Sequence, residues 1–402
     1  MGSNVVEKLE RNVVDLVSHE EFSQKLQSGK TLRVKLGVDP SRPDLHLGHA
    51  VVLRKLREFQ QFGHQVVLII GDFTAQIGDP SGRDTTRPIL TPDEVRENAA
   101  TYKEQAFRIL DETKTEVRFN SEWLSDMKFA DVIRLASKYT VARMLERDDF
   151  AKRYSSNMPI SISEFLYPLA QAYDSVAVRA DIELGGTDQY FNFLVGRKIQ
   201  QEFGLNPQVV MTMPIIEGTD GKLKMSKSYD NYVAFNDSSN EMYGKLMSIP
   251  DELICKYLRL LTDIEEERIS EIEKSMQSKK MNPRDAKMLL AFNVTAFFHG
   301  ESEAQKAQEE FIKVFRNKQL PKTLPVVNLD NKEIKLVELL LRTGSVSSKS
   351  EARRLIVQGA VKLDDERVTD IHAVVEITRP TVLKIGKRRF FKLKLKQSAL
   401  ET

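Results

Sequence analysis

The chain lacks the residues that build secreted, metal-organised or membrane-spanning proteins. Its 402 residues contain one cysteine, Cys255, one tryptophan and six histidines. A lone thiol forms no internal disulfide, and one cysteine among scattered histidines does not supply the ligands of a structural zinc site. A reduced, cytoplasmic setting with no structural metal is expected. No apolar run approaches the roughly 18–20 residues that cross a bilayer; the strongest short one is Val66-Val67-Leu68-Ile69-Ile70. The opening Met1-Gly2-Ser3-Asn4-Val5-Val6-Glu7 has no signal-peptide layout and no hydroxyl residue at position six, where a myristoylation signal wants one. There is no internal repeat and no low-complexity tract.

Neither sign of charge dominates: 60 Lys and Arg against 58 Asp and Glu leave a net +2. The distribution is more informative. Residues 331–402 hold 16 basic against 9 acidic side chains, and the other 330 residues hold 44 against 49. A basic tail on a slightly acidic body suggests a polyanionic partner, with a merely solvated surface as the alternative. Hydrophobic residues make up 41 % of the chain, enough to fill the cores of roughly two to four domains.

The pattern along the chain predicts an α/β core. Residues 32–38 read as a strand that Asp39-Pro40 cannot continue, because proline has no N–H. Residues 47–62 read as a helix, with Val52, Leu56 and Phe59 on one face and Gly63 placed to end it. Residues 65–71 have a buried-strand pattern. Strand, helix, strand in this spacing argues for a parallel sheet. Thr91-Pro92-Asp93-Glu94 opens a further helix with a cap, a first-turn proline and acidic residues. Residues 116–119, 181–184 and 209–213 are strand-like, and 128–147 and 189–203 helical. Residues 238–316 read as a helical bundle and 321–330, with Pro321 and Pro325, as a linker. Near the end, Ser348-Lys349-Ser350-Glu351 has capping-box spacing, and Phe391, Leu393 and Leu395 alternate with lysines.

Two segments carry the chemistry. His46-Leu47-Gly48-His49 lies in the turn between the first strand and its helix, where open α/β sheets bind ligands and helix N-termini attract phosphate. The imidazoles can donate to phosphate oxygens there, and Gly48 lets a flat base or ribose approach the backbone. Ordinary turn histidines are the alternative for either ring alone. Lys222-Leu223-Lys224-Met225-Ser226-Lys227-Ser228 follows a stretch containing Gly218 and Gly221. Its paired ammonium groups suit a polyphosphate that is gripped and released, although a solvated loop has the same composition. Further along, Tyr167, Gln171 and Asp174 share one helix face, and Gly185-Gly186-Thr187-Asp188-Gln189 and Gly78-Asp79-Pro80-Ser81-Gly82-Arg83 form two more polar clusters.

The His-x-Gly-His turn followed by a Lys-Met-Ser-Lys-Ser loop resembles the paired signatures of the class I aminoacyl-tRNA synthetases. The three polar clusters resemble the tyrosyl branch of that class over about residues 31–395. The resemblance implies a Rossmann-like, doubly wound parallel-sheet catalytic domain over 1–232, an α-helical domain over 233–320, a linker over 321–333 and a small α+β S4 RNA-binding domain over 334–396. It implies ATP as substrate, Mg²⁺ accompanying it, tRNA(Tyr) and L-tyrosine as partners, and a homodimer. His46, His49, Lys224 and Lys227 would be catalytic, with Gly37, Asp39, Gly48, Asp188, Arg83, Arg87 and Ser228 on the nucleotide side. Asp79, Tyr167, Gln171, Asp174 and Gln189 would hold the amino acid, with Asp174 accepting the phenol proton. Lys349, Arg353 and Arg354 on a helix and Lys387 and Arg388 in a turn would contact RNA. One position departs from the resemblance. Well-known members carry a phenol-reading tyrosine in the first strand where this chain has Lys35. Either Lys35 enters the pocket, or the helix around Asp174 reads the phenol alone. Tryptophanyl specificity and a non-catalytic RNA-binding protein on the same fold remain the rivals; the basic tail favours the tyrosyl branch over the tryptophanyl.

Overall fold

The computed structural model of the protein describes residues 2–40, 44–79, 91–316, 324–346, 348–364, 366–386 and 389–395. The chain divides into two compact units between residues 305 and 306.

The first unit is built on strands β1 (Asp15–Val17), β2 (Arg33–Val38), β3 (Gln65–Ile70), β4 (Thr115–Phe119), β5 (Ile182–Gly186) and β6 (Val209–Met213). They form one sheet in the order β1-β6-β5-β2-β3-β4. All neighbours run parallel except β1, which pairs antiparallel with β6. The expected wholly parallel sheet is therefore mixed. Three residues are too few to show a period, and their partner lies about two hundred residues away in sequence. β1 covers the edge of β6, every residue of which is buried; β3 is buried at all but its first position. Such continuous apolar strands arise where both faces of a parallel sheet are covered.

Strand order reverses between β2 and β5, the place where open α/β sheets bind ligands at the strands' carboxyl ends. β2 stays paired with β3 up to Val38↔Ile70. With β5 it pairs only at Val34↔Ile182 and Lys35↔Glu183. The two strands thus part at Lys35, and the turns that follow them line the gap.

Helix Leu47–Gln61 starts from His46 and ends before Gly63, which takes the left-handed φ of +86°. Helix Pro92–Ala106 has a full capping box at Thr91. The helical segments expected over 128–147 are Phe129–Ala136 and Val141–Met144, separated where Thr140 turns extended and caps the second. Helix Ile162–Ala177 runs on through the buried Pro168. The helices after residue 238 begin with Ser239–Leu246, Ile254–Leu261, Glu266–Gln277 and Pro283–His299. Up to residue 305 they belong to the same unit as the sheet rather than standing apart, because Ile254–Leu261 packs on Leu47–Gln61.

In the second unit, strands β7 (Val326–Leu329), β9 (Val361–Leu363), β10 (Glu366–Arg367), β12 (Thr381–Ile385) and β13 (Arg389–Leu395) form a sheet in the order β10-β9-β12-β13-β7. β8 (Glu333–Lys335) pairs separately with β11 (Val374–Glu376). β7 corrects the linker reading: it pairs parallel with β13 from Val326↔Lys392 to Leu395↔Leu329, and Leu329 is wholly buried. The prolines on its N-terminal side masked an apolar strand. Leu336, Leu340, Ile356, Val361, Leu383 and Leu393 are buried together as this unit's core. Among the described residues no helix is long and apolar enough to cross a membrane.

Candidate active site

The histidine turn is the N-terminus of helix Leu47–Gln61. His46 sits at its cap in extended conformation. Its Nδ1 accepts the Gly48 N–H at 3.2 Å, and His49 Nδ1 accepts the His46 N–H at 3.2 Å. A Cβ on Gly48 would lie 2.9 Å from His46 Cε1 and Nδ1, so glycine is needed for the ring to fold back over the turn. Desolvation, the neighbouring ring and Lys227 push His46 well below the usual histidine range; desolvation, with Lys227 adding to it, pushes His49 down to about 4. Both rings are therefore neutral near pH 7. Since Nδ1 accepts in each, the ring proton resides on Nε2, and each imidazole is a fixed N–H donor.

The lysine loop meets this turn through the backbone. His46 forms an antiparallel bridge with Ala234, Leu47 N–H donates to Val233 O at 3.0 Å, and Phe235 N–H donates to Leu45 O at 3.0 Å. Lys227 Nζ lies 3.1 Å from Asp44 Oδ2, two residues before His46. Lys224 Nζ is 3.8 Å from Asp188 Oδ2, in the turn after β5. Burial raises the Asp188 carboxyl, against the pull of Lys224. Ser228 belongs to a short 3₁₀ turn capped by Ser226, and its N–H donates to the Ser226 hydroxyl at 3.2 Å. Asn231 ties the loop together. Its side chain accepts from Ser226 N–H at 2.9 Å and donates toward Asp220 Oδ1 and the carbonyls of Leu223 and Lys224 at 3.1–3.3 Å.

Opposite these loops, helix Ile162–Ala177 presents the expected face. Tyr167 donates its hydroxyl to Asp39 Oδ2 at 2.8 Å, and Thr74 donates to Asp39 Oδ1 at 2.8 Å; a Cβ at Gly71 would clash with both Asp39 and Thr74. Gln171 is oriented at both ends: its Nε2 donates to Glu183 at 3.4 Å and its Oε1 accepts from Asn192 at 3.0 Å. Gln189 donates to Asp79 Oδ2 at 2.9 Å and accepts from Asn192 at 3.0 Å. Gly37 is exposed at the end of β2, and a Cβ there would meet nothing within 4 Å, so the strand floor is open.

Asp174 is the most deeply buried of the five residues expected to hold the amino acid. It is buried, and its two oxygens accept from Trp123 Nε1 at 2.8 Å and Asn120 Nδ2 at 3.3 Å. Desolvation pushes its carboxyl up to about 7, against Lys35 and the two donors. A carboxylate offers about four acceptor positions, so two donors leave room for a third.

Sequence reasoning missed Trp123 and Asn120. The signal was available: both follow β4, and ligands gather at the carboxyl ends of parallel strands. It also missed Arg147, which lies 2.8 Å from Asp149, 3.8 Å from Asp79 and 3.3 Å from Asn192, and it missed Asp44 and Asn231. Lys35 does not enter the pocket but lies buried beneath helix Ile162–Ala177. Arg83, Arg87, Lys387 and Arg388 fall outside the described residues. Lys349, Arg353 and Arg354 are exposed on helix Lys349–Val357 of the second unit. Among the described residues no group of three or more His, Cys, Asp or Glu side chains is placed to hold a metal ion.

A largely parallel sheet with neutral imidazoles at one helix N-terminus and lysines on a loop stitched to it offers fixed N–H donors and mobile cations side by side, a set that suits an anionic ligand. Residues 26–316 match the family model of class I tRNA synthetases (W and Y), and the chain belongs to that class. Residues 317–393 match the model of the tyrosine–tRNA ligase SYY-like C-terminal domain. The chain is 68 % identical to the tyrosine–tRNA ligase of Thermotoga maritima over 388 residues, 96 % of each chain, and 54 % identical to that of Carboxydothermus hydrogenoformans, covering 96 % and 97 %. It thus falls within the tyrosine–tRNA ligase family. The fold is shared with the tyrosyl-tRNA synthetase of Archaeoglobus fulgidus, solved in complex with L-tyrosine, at 22 % identity, with a TM-score of 0.64 and coverage of 77 % of this chain and 100 % of that one. It is shared too with a C-terminally truncated mitochondrial tyrosyl-tRNA synthetase of Aspergillus nidulans at 23 % identity, with a TM-score of 0.65 and coverage of 77 % and 94 %.

Proposed function

We propose that this chain joins L-tyrosine to ATP and then to the 3′ end of tRNA(Tyr), using the crevice between β2 and β5. The observation that carries the reading is the buried Asp174 carboxylate, held by two donors and open to a third, on the helix whose Tyr167 hydrogen-bonds Asp39 just beyond β2. A tyrosine phenol donates into it. Phenylalanine would leave a buried acceptor unmade, which is the costly outcome. The substrate ammonium is held by Asp79, by Gln171 Oε1, and by Tyr167, whose hydroxyl proton is already committed to Asp39. Gln189 sets the orientation of Asp79.

The tyrosine carboxylate attacks the α-phosphorus. The P–O bond to the β-phosphate breaks, and pyrophosphate leaves with its electron pair. The Nε2–H donors of His46 and His49 face the charge that builds on the α-phosphate. Lys224 and Lys227 exchange their carboxylate partners, Asp188 and Asp44, for the leaving pyrophosphate. Asp39, Gly37, Gly48 and Ser228 lie on the nucleotide side, Arg83 and Arg87 add charge to the pyrophosphate end, and Mg²⁺ enters with ATP. A ribose hydroxyl of the tRNA then attacks the acyl carbon of the adenylate; the C–O bond to the phosphate breaks, and AMP leaves with the electron pair and takes up the hydroxyl proton on its phosphate. Catalysis is positioning and preorganised charge, with no covalent enzyme intermediate. The second unit grips tRNA phosphates through Lys349, Arg353, Arg354, Lys387 and Arg388, and the protein works in the cytoplasm.

The protein acts as a homodimer. Phe129, Ile133, Val141, Tyr154 and Ile162 leave between 55 and 80 % of their surface exposed within one stretch of chain, and clustered exposed apolar residues mark interaction surfaces. A Phe129→Asp/Ile133→Asp variant should elute as a monomer, and an unchanged elution volume would remove this interface. The assay for the function is pyrophosphate exchange with each amino acid. Tyrosine should support it and tryptophan should not. Lys227→Ala should depress exchange at least tenfold while tyrosine binding without ATP, read from Trp123 emission, stays within twofold. Equal loss of both would refute the assignment.

A further inference from the structure

Lys35 and Glu183 face each other where β2 and β5 part. They are 0 % and 1 % exposed and form an ion pair at 2.7 Å. All three ammonium hydrogens of Lys35 are engaged: with Glu183 Oε1 at 2.7 Å, Ser175 Oγ at 2.7 Å and the Gln171 carbonyl at 3.0 Å. Glu183 is also completed, accepting from Gln171 Nε2 at 3.4 Å, from Ser175 Oγ at 3.3 Å and from Gln208 Nε2. For folding alone such a pair is a poor choice, since apolar residues of similar volume are often as stable or more so. Its contacts point to a different use. Lys35 holds the turn of helix Ile162–Ala177 between Gln171 and Ser175, and that turn carries both Gln171 and Asp174. Glu183 fixes the Gln171 amide from below.

We propose that the Lys35–Glu183 pair is the positioning element for tyrosine recognition: it locks the Gln171–Asp174 turn of helix Ile162–Ala177 in place from the strands beneath it. Seen from Asp174, the charged groups are Lys35 from β2 and Glu183 from β5; the neutral donors Trp123 and Asn120 come from the segment after β4. Lys35 favours the carboxylate and Glu183 opposes it. The inference rests on the reading that Asp174 accepts the substrate phenol.

The test exploits the opposite signs. In wild-type protein kcat/KM for tyrosine in pyrophosphate exchange should fall on the acid side of about pH 7, where Asp174 protonates. Glu183→Gln leaves Lys35 unopposed and should move that limb to lower pH. Lys35→Met/Glu183→Gln removes both charges, of which Lys35 is the stronger, and should move it to higher pH. A shift of about half a unit or more is expected in each, which is roughly threefold in tyrosine KM at a fixed pH on the limb; KM for ATP should stay within twofold. Limbs that do not move, limbs that move the same way, or tyrosine and ATP KM values rising together would overturn the proposal. If the double variant does not accumulate as folded protein, Glu183→Gln decides alone, and an unmoved limb in it is refutation. Failure of the underlying reading looks different: Asp174→Asn would then keep its preference for tyrosine over phenylalanine.

Discussion

Replacing Asp174 by asparagine should make the protein more stable above neutral pH while destroying its selectivity for a phenol. The carboxyl ionises at about 7 in the folded chain against an ordinary aspartate value of 3.8. Between those values the folded state keeps a proton that the unfolded state has released. Folding then binds more protons than unfolding, so stability falls as pH rises through this window and levels off above it. A difference of about three units corresponds to at most ~4 kcal/mol of destabilisation above pH 7. Asparagine removes that penalty. Its Oδ1 still accepts from Trp123, but its own amide faces the Asn120 amide, and losing that hydrogen bond costs about 1 kcal/mol. The net gain is roughly 2–3 kcal/mol at pH 8 and close to nothing at pH 4. The assay is denaturant unfolding of wild type and variant at several pH values, followed by the emission of Trp123, the only tryptophan. Subtracting the two curves cancels every other titrating group. A variant no more stable than wild type at pH 8, or a difference independent of pH, would refute the reasoning. The expected outcome is a binding group kept at the expense of stability.

Trp123→Phe should lower kcat/KM for tyrosine by about 10- to 150-fold, the worth of one hydrogen bond to a charged group, with KM for ATP unchanged; steady-state exchange kinetics check this, and a less than twofold effect would mean the indole does not hold Asp174 for substrate. Arg353→Glu/Arg354→Glu should leave tyrosine-dependent exchange intact and weaken aminoacylation, with a flatter dependence of tRNA affinity on salt. Equal damage to both reactions would count against a tRNA role for that helix.

The local patterns were legible because they are written locally. The capping residues Thr91 and Ser348 stand where helices begin, and both accept the third residue's N–H. Tyr167, Gln171 and Asp174 fall on one helix face by spacing alone. What periodicity does not encode is partnership. β1 and β7 are short strands whose pairing depends on segments far away in sequence, and Lys35 meets Glu183 across 148 residues. Nothing near Lys35 marks it as buried and paired; a lysine in a strand reads as solvent-facing until its counter-ion is placed. The same holds for Trp123, whose indole is polar only through one N–H, and that N–H finds its use when helix Ile162–Ala177 closes over it.

The short backbone ladder between residues 45–47 and 233–235 has a thermodynamic consequence for turnover. Joining an imidazole turn to an ammonium loop from the far side of the chain carries an entropic charge wherever it occurs. Here it is settled once, when the polypeptide folds, and on the proposed function each incoming nucleotide would meet donors already in register.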